Sequence, residues 1–343
     1  MSNGSESSVS SFEDCLERRY IFLRKIGSGT FSSAWAALDK VTRTKVVLKT
    51  VHKKNTSRSL FKKELKYSRM LSGHRHVINT RSDAFETDKA YVLIQDLAAG
   101  GDLFDAIGPE IGLAEETAKR YIVQVASALH SMHTKGLVHR DVKPENIVLE
   151  DKNGSNVLLI DFGMTRRTGY YIERVCGSIP YTPPEVCMAA DGYHCHTSSD
   201  VWSVGVLLYC MLTGNFPWEQ ATECDSNFAE FCRWQRGESE KIPPLWRQFS
   251  PKLLELFSKL LCLDWQKRCS VTEIFHYTKF FWFQHPTDKR QIQLSASSVE
   301  ALRSLVQQDQ EQHKLQHPTN KELYATCYIP HKGRSAVMPV SAC

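Results

Sequence analysis

Short apolar, strand-like runs punctuate residues 20–97, and beyond them the apolar residues recur mostly at helical spacing. Residues 21–26 form a strand-like run that ends at Gly27-Ser28-Gly29-Thr30-Phe31-Ser32. A second strand over 33–38 and a third, Lys45-Val46-Val47-Leu48-Lys49, follow it. Over 59–71 the apolar residues Leu60, Phe61, Leu65, Met70 and Leu71 predict a helix. Tyr91-Val92-Leu93-Ile94-Gln95-Asp96-Leu97 reads as a buried strand that runs into a small-residue link, Ala98-Ala99-Gly100-Gly101. Beyond the link the pattern is mostly helical. Residues 115–133 predict a long amphipathic helix through Ala118, Tyr121, Ile122, Val125, Leu129 and Met132. Short apolar runs at 137–138, 147–149 and 157–160 bracket polar loops. Residues 1–18, rich in Ser, Glu and Asp, predict a mobile leader, with order beginning near Tyr20. Past Pro286, Ser297 and Glu300 have capping-box spacing and open a short helix with a stripe of Val299, Leu302, Leu305 and Val306.

Composition narrows the function classes. A chain of 343 residues accommodates one large or two ordinary domains with a substantial core. Apolar residues at 42% and charged residues at 24% are ordinary globular usage. A net charge of +5, with no nucleic-acid-reading motif beside it, points to solubility and away from a nucleic-acid partner. No apolar run reaches the roughly 18 residues that span a bilayer. The opening stretch lacks the basic-then-apolar order of a signal peptide, so no membrane span and a cytoplasmic location are expected. Eleven scattered cysteines without a CxxC pair suit reduced thiols. His194-Cys195-His196 lacks a second ligand pair and is read as no metal site.

Candidate chemistry gathers at His139-Arg140-Asp141-Val142-Lys143-Pro144-Glu145-Asn146, a polar loop held between apolar elements. Asp141 can accept a proton, Lys143 can neutralise a phosphate, and Asn146 offers an oxygen to a hard cation such as Mg²⁺. Gly27 and Gly29 let backbone amides approach phosphate oxygens, although a lone GxG also occurs in many hairpin turns. Asp161-Phe162-Gly163 sets a second carboxylate at the end of a buried strand.

In order and spacing these segments resemble the motifs of eukaryotic protein kinases over about residues 20–284. The loop at 139–146 resembles the catalytic loop, in the form with lysine two residues after the aspartate that is associated with serine/threonine kinases. Lys49 resembles the lysine of the VAIK strand, Asp161-Phe162-Gly163 the DFG motif, and 98–101 the hinge. Pro183-Pro184-Glu185 stands where the family has Ala-Pro-Glu, and Asp200-Val201-Trp202-Ser203-Val204-Gly205 and Arg268 match later structural motifs. Four phrases look like the SH3-binding-domain serine/threonine kinase subfamily: Gly163-Met164-Thr165-Arg166-Arg167, Ile179-Pro180-Tyr181-Thr182-Pro183-Pro184-Glu185, Leu212-Thr213-Gly214-Asn215-Phe216-Pro217-Trp218 and Arg233-Trp234-Gln235-Arg236-Gly237. The one PxxP, Pro180 to Pro183, falls in the activation segment, so an SH3-ligand role is not carried over.

The resemblance implies an α+β, bilobal protein kinase fold. It consists of a small β-rich N-lobe over 19–95 with one main helix, a hinge over 96–101, a larger mainly helical C-lobe over 102–284 and a tail over 285–343. It implies transfer of the ATP γ-phosphoryl group to Ser/Thr hydroxyls of protein substrates by a monomer. A pseudokinase-type nucleotide-binding scaffold is the alternative. The implied ATP site comprises Ile26, Gly27, Ser28, Gly29, Thr30, Phe31, Ser32, Ala34, Val47, Lys49, the gatekeeper Gln95, Asp96, Ala98, Val148 and Asp161. Lys49 would fix the α- and β-phosphates and Glu64 would hold Lys49. Asn146 and Asp161 would bind Mg²⁺ or Mn²⁺, Asp141 would deprotonate the incoming hydroxyl, and Lys143 would stabilise charge on the γ-phosphoryl group. Ser178 would tie the activation segment to Asp141 and Lys143, and Glu185 with Arg268 would form a buried ion pair. Asp102 and Glu145 match positions that receive an upstream substrate arginine, or Asp102 contacts the ribose. Departures from the family pattern are Ser32 for the third glycine, Ala34 and Val47 exchanged in size, and Ser68 for an apolar residue. The usual phosphothreonine position is Arg174. That predicts activity without activation-segment phosphorylation, with Glu173 as the partner of Arg140 and with Tyr170 and Tyr171 as rival phosphorylation sites.

Overall fold

The strand-like runs and one further polar strand build a five-stranded antiparallel sheet in the order β1-β2-β3-β5-β4. Its strands are β1 (Tyr20–Ser28), β2 (Ser32–Asp39), β3 (Lys45–His52), β4 (Thr80–Glu86) and β5 (Ala90–Asp96). The computed structural model describes residues 12–29, 31–173 and 177–284, so Thr30, Arg174 and the helix expected after Ser297 lie outside it. Successive side chains of a strand face opposite ways, so each strand supplies two surfaces. Val46, Leu48, Val92 and Ile94 pack on one face with Tyr20, Ala37 and Leu16. Val51, Tyr91 and Leu93 pack on the other face against Phe61 of α2 (Arg58–Leu71), and the Phe61 and Tyr91 rings stack at 4.7 Å. The hydroxyl of Ser57 starts α2 by accepting the Leu60 N–H.

Two elements add to the sequence reading. Phe12–Arg19, largely within the expected leader, forms a helix, α1. Leu16 is buried in the sheet core, and Arg19 bonds Asp39 at 3.2 Å and Asp83 at 2.8 Å. Leu16 and the forked guanidinium of Arg19 tie this helix to the sheet. The second is β4, a polar edge strand that no alternating apolar pattern announces.

The chain divides into two compact units, and the division does not fall at the hinge. The first unit comprises residues 1–105, 127–139 and 144–166, and the second comprises 106–126, 140–143 and 167–343. The reason lies in backbone hydrogen bonds. Ile147–Leu149 pairs with Val157–Leu159. The Leu159 N–H donates to His76, the Ile78 N–H donates to Leu159, and the Gly100 N–H donates to Leu149. This ribbon therefore belongs with the sheet.

The second unit is mainly helical and packs around aromatic rings. Its central helix, Thr197–Thr213, is buried along almost its whole length. Helices Ser226–Gln235 and Pro251–Leu260 start at Asp225 and Ser250, whose side chains accept from Phe228 N–H and Leu253 N–H. Trp246 meets Tyr209 at 4.9 Å, Phe231 at 4.8 Å and Phe257 at 5.0 Å, and Trp218 meets Phe228 at 5.0 Å. Each such pair contributes roughly 0.5–1.5 kcal/mol beyond its area burial. Among the described residues, no helix is long and apolar enough to cross a membrane.

Candidate active site

In the first unit the strand period delivers Lys49. With Val46 and Leu48 in the core, Val47 and Lys49 must face the side that carries α2. Lys49 Nζ lies 2.7 Å from Glu64 Oε1 and 2.9 Å from Asp161 Oδ1. Burial alone would favour neutral Lys49, but the Asp161 and Glu64 carboxylates outweigh it and raise its pKa above the ordinary lysine value. Burial also opposes the charge on Asp161, yet the Lys49 ammonium and the Gly163 N–H hold that carboxyl well below the ordinary carboxylate range. Burial and the neighbouring Asp161 push Glu64 up against the pull of Lys49.

The Asp161 backbone has φ +63, in the left-handed region that side chains avoid. Its neighbours fix it there. His139 Nε2–H donates to the Ile160 carbonyl at 3.1 Å, the His139 ring packs edge-on to Phe162 at 5.5 Å, and Gly163 N–H donates to Asp161 Oδ1 at 3.1 Å. A Cβ on Gly163 would stand 3.2 Å from that oxygen and 3.4 Å from Glu64 Oε2, so glycine keeps the two carboxylates close to the loop. Asn146 is buried, and its carbonyl accepts the Ile160 N–H at 2.9 Å.

Around this cluster, Ala34 pairs with Lys49, and Val47 pairs with Gln95 in register. The Gln95 amide donates to Thr80 Oγ1 at 3.1 Å, which pins the Gln95 side chain to β4. Asp96 uses its backbone N–H on the Asn79 carbonyl at 3.0 Å, and Val148 forms a bridge with Asp102. One carboxylate oxygen of Asp102 caps the helix Leu103–Ala106 through the Asp105 N–H at 2.9 Å. Gly27 and Ser28 pair with Ala34 and Ser33, and the Gly29 N–H closes the turn on the Ser32 carbonyl at 2.8 Å. Among the described residues, a Cβ on Gly27 would come no closer than 3.8 Å and one on Gly29 no closer than 3.9 Å to a neighbour, so packing against them does not demand these glycines.

In the second unit, Asp141, Lys143 and Ser178 form a triangle. Lys143 Nζ lies 3.1 Å from Asp141 Oδ1 and donates to Ser178 Oγ at 2.9 Å, and Ser178 Oγ donates to Asp141 Oδ1 at 3.3 Å. Arg140, with φ +71, donates its backbone N–H to buried Asp200 Oδ1 at 2.8 Å. Arg268 grips Glu185 with two nitrogens at 2.8 and 2.9 Å and donates to the Ser198 carbonyl at 2.9 Å, a bidentate fork that lysine could not reproduce. Glu173 is exposed, and the Arg140 guanidinium donates to the Tyr193 hydroxyl.

Residues 20–281 match the protein kinase domain family. The chain is 45% identical over 289 residues to Serine/threonine-protein kinase SBK1 of Danio rerio, covering 83% of this chain and 75% of that one. It is also 45% identical over 264 residues to SBK1 of Mus musculus, covering 76% and 63% of the two chains. With Serine/threonine-protein kinase meng-po of Drosophila melanogaster it is 37% identical over 270 residues, covering 78% and 59%. The chain belongs to the protein kinase family. Within it the chain falls in the SBK subfamily that its phrases resemble. The antiparallel sheet of the first unit and the helical second unit are those of the α+β protein kinase fold.

Of the residues singled out in this kinase from sequence, the first unit brings together Lys49, Glu64 and Asp161, and the second brings together Asp141, Lys143 and Ser178. Thr80 holds Gln95, His139 holds the Ile160 carbonyl beside Asp161, and Tyr193 holds Arg140 beside Asp141, contacts that the sequence did not assign. Each contact joins residues 15 or more positions apart, and neither spacing nor hydropathy marks such pairs.

Proposed function

We propose that the chain is an active serine/threonine protein kinase that transfers the ATP γ-phosphoryl group to hydroxyls of protein substrates. The observation that carries this is the closed Lys49–Glu64 pair, with Asp161 on the same ammonium. Lys49 holds the α- and β-phosphates, while the bare backbone at Gly27, Ser28 and Gly29, with Phe31 and Ser32, covers them. Ile26, Ala34, Val47, Ala98 and Val148 line the adenine, bounded by Gln95 and Asp96. Asn146 and Asp161 offer hard oxygen donors of the kind Mg²⁺ or Mn²⁺ takes, and Asp161 is held ionised. The metal, when bound, neutralises phosphate charge. Asp141 orients the acceptor hydroxyl and takes its proton, and Lys143 stabilises charge on the transferring group. Action as a cytoplasmic monomer on protein substrates, without a nucleic-acid partner, is part of the same proposal. It rests on the family chemistry and on described cysteines that are free thiols.

The experiment is Asp141→Asn in the full chain. ATP affinity should stay near wild type while turnover falls by roughly 10²–10⁴, the loss expected for a positioned base. Undiminished transfer by the variant would remove Asp141 from this role.

A further inference from the structure

The side chain of Arg140 is held by a phenol. Its Nε and Nη2 donate to the Tyr193 hydroxyl oxygen at 3.3 and 3.2 Å, and the guanidinium carbon lies 5.9 Å from the centre of the Tyr193 ring. The backbone of Arg140 is fixed separately by Asp200, so the residue beside Asp141 is anchored at both ends. Tyr193 sits in the two-residue strand Tyr193–His194, which pairs antiparallel with Tyr171–Ile172: Tyr171 with His194, and Ile172 with Tyr193. The pairing continues upstream. The Cys195 N–H donates to the Tyr170 carbonyl at 3.0 Å, the Gly169 N–H donates to Cys195 at 2.9 Å, and His194 Nδ1–H donates to Gly169 at 2.9 Å. Gly192, at φ +109, admits the chain to this strand; a Cβ there would lie 2.3 Å from the Ile172 carbonyl oxygen. One short ladder therefore fastens residues 169–172 and presents a hydroxyl to the arginine beside the catalytic aspartate.

We infer that Tyr193 is a positioning residue for phosphoryl transfer. Its hydroxyl couples Arg140 to the 169–172 stretch of the activation segment, so that this stretch and Asp141 keep their working arrangement without a phosphate. A hydrogen bond to a charged donor is stronger than a neutral one, and the guanidinium fork reaches the single oxygen with two nitrogens. The inference rests on the reading of the chain as an active kinase, and it names the device that makes activation-segment phosphorylation dispensable.

The test uses full-length, bacterially produced, phosphatase-treated protein in four forms: wild type, Tyr193→Phe, Arg140→Leu and the double variant. Phenylalanine keeps the ring and the backbone ladder and removes only the oxygen. Turnover and the KM for ATP are measured alongside amide hydrogen exchange over 169–172. Tyr193→Phe should lower kcat about tenfold, the size of one charge-assisted hydrogen bond, with KM for ATP within about twofold of wild type. Exchange over 169–172 should quicken, and the double variant should be no slower in turnover than Arg140→Leu alone. Wild-type turnover and exchange in Tyr193→Phe would overturn the inference, and so would losses in the double variant that multiply. Wild-type activity that returns only with phosphate on Thr168, Tyr170 or Tyr171 would also overturn it. A wild type that never transfers phosphate defeats the kinase reading. Exchange then decides the link itself: faster exchange in Tyr193→Phe supports it, and unchanged exchange overturns it.

Discussion

Lys49 bonds two carboxylates that would repel each other without it, and this sets the acid behaviour of the first unit. The Asp161 carboxyl lies below its unfolded value of 3.8, so ionised Asp161 stabilises the fold at pH above that value. That contribution is lost as pH falls through the lower folded-state pKa. In Lys49→Met, burial and Glu64 remain without the ammonium, so the Asp161 pKa should rise and the acid limb of stability should move to higher pH. Carboxyl titration of ¹³C-labelled Asp161, together with denaturant unfolding between about pH 2 and 5, measures both shifts. An unchanged Asp161 titration in the variant would contradict the charge assignment. At this scale the Lys49–Glu64 pair was legible through the resemblance of the strand to the VAIK strand, since a lysine ending an apolar strand can equally face water. The Thr80–Gln95 and Arg140–Tyr193 contacts were not legible, because they join residues 15 and 53 positions apart whose types are ordinary on a surface.

Strands β2, β3 and β5 and helix α2 could be read from periodicity, because each puts apolar residues on a core face, whereas β1, of which Tyr20 alone is buried, was legible as an apolar run. Strand β4 escaped because Thr80-Arg81-Ser82-Asp83 is polar and its pairing with β5 shifts register between Thr80 and Ala84. Helix α1 escaped because Leu16, which packs in the sheet core, stands among charged residues and marks no apolar period. The same fact makes α1 testable. Leu16 is 6% exposed, so Leu16→Ala should destabilise the protein by about 2–4 kcal/mol through lost burial and a residual cavity. Urea unfolding measures this; a loss below about 0.5 kcal/mol would mean that α1 does not dock on the sheet in solution.

At the scale of the whole molecule, two units with different construction hold two clusters of charged and polar groups. The sheet unit holds Lys49, Glu64, Asn146 and Asp161, to which the proposed function gives the phosphates and a hard cation. The helical unit, packed around its aromatic rings, holds Asp141, Lys143 and Ser178, to which it gives the acceptor hydroxyl and its proton. The order of motifs along the chain made the members of both clusters legible. The boundary between the units was not, because backbone pairing draws 144–166 to the sheet. The most direct measurement of the central claim is phosphate transfer from γ-labelled ATP to a generic basic protein by the dephosphorylated wild type, followed by phosphoamino-acid analysis. Label on serine and threonine, at a turnover within the roughly 1–100 s⁻¹ of protein kinases, is the predicted result. Tight ATP binding with no label transferred would contradict it and leave a nucleotide-binding scaffold.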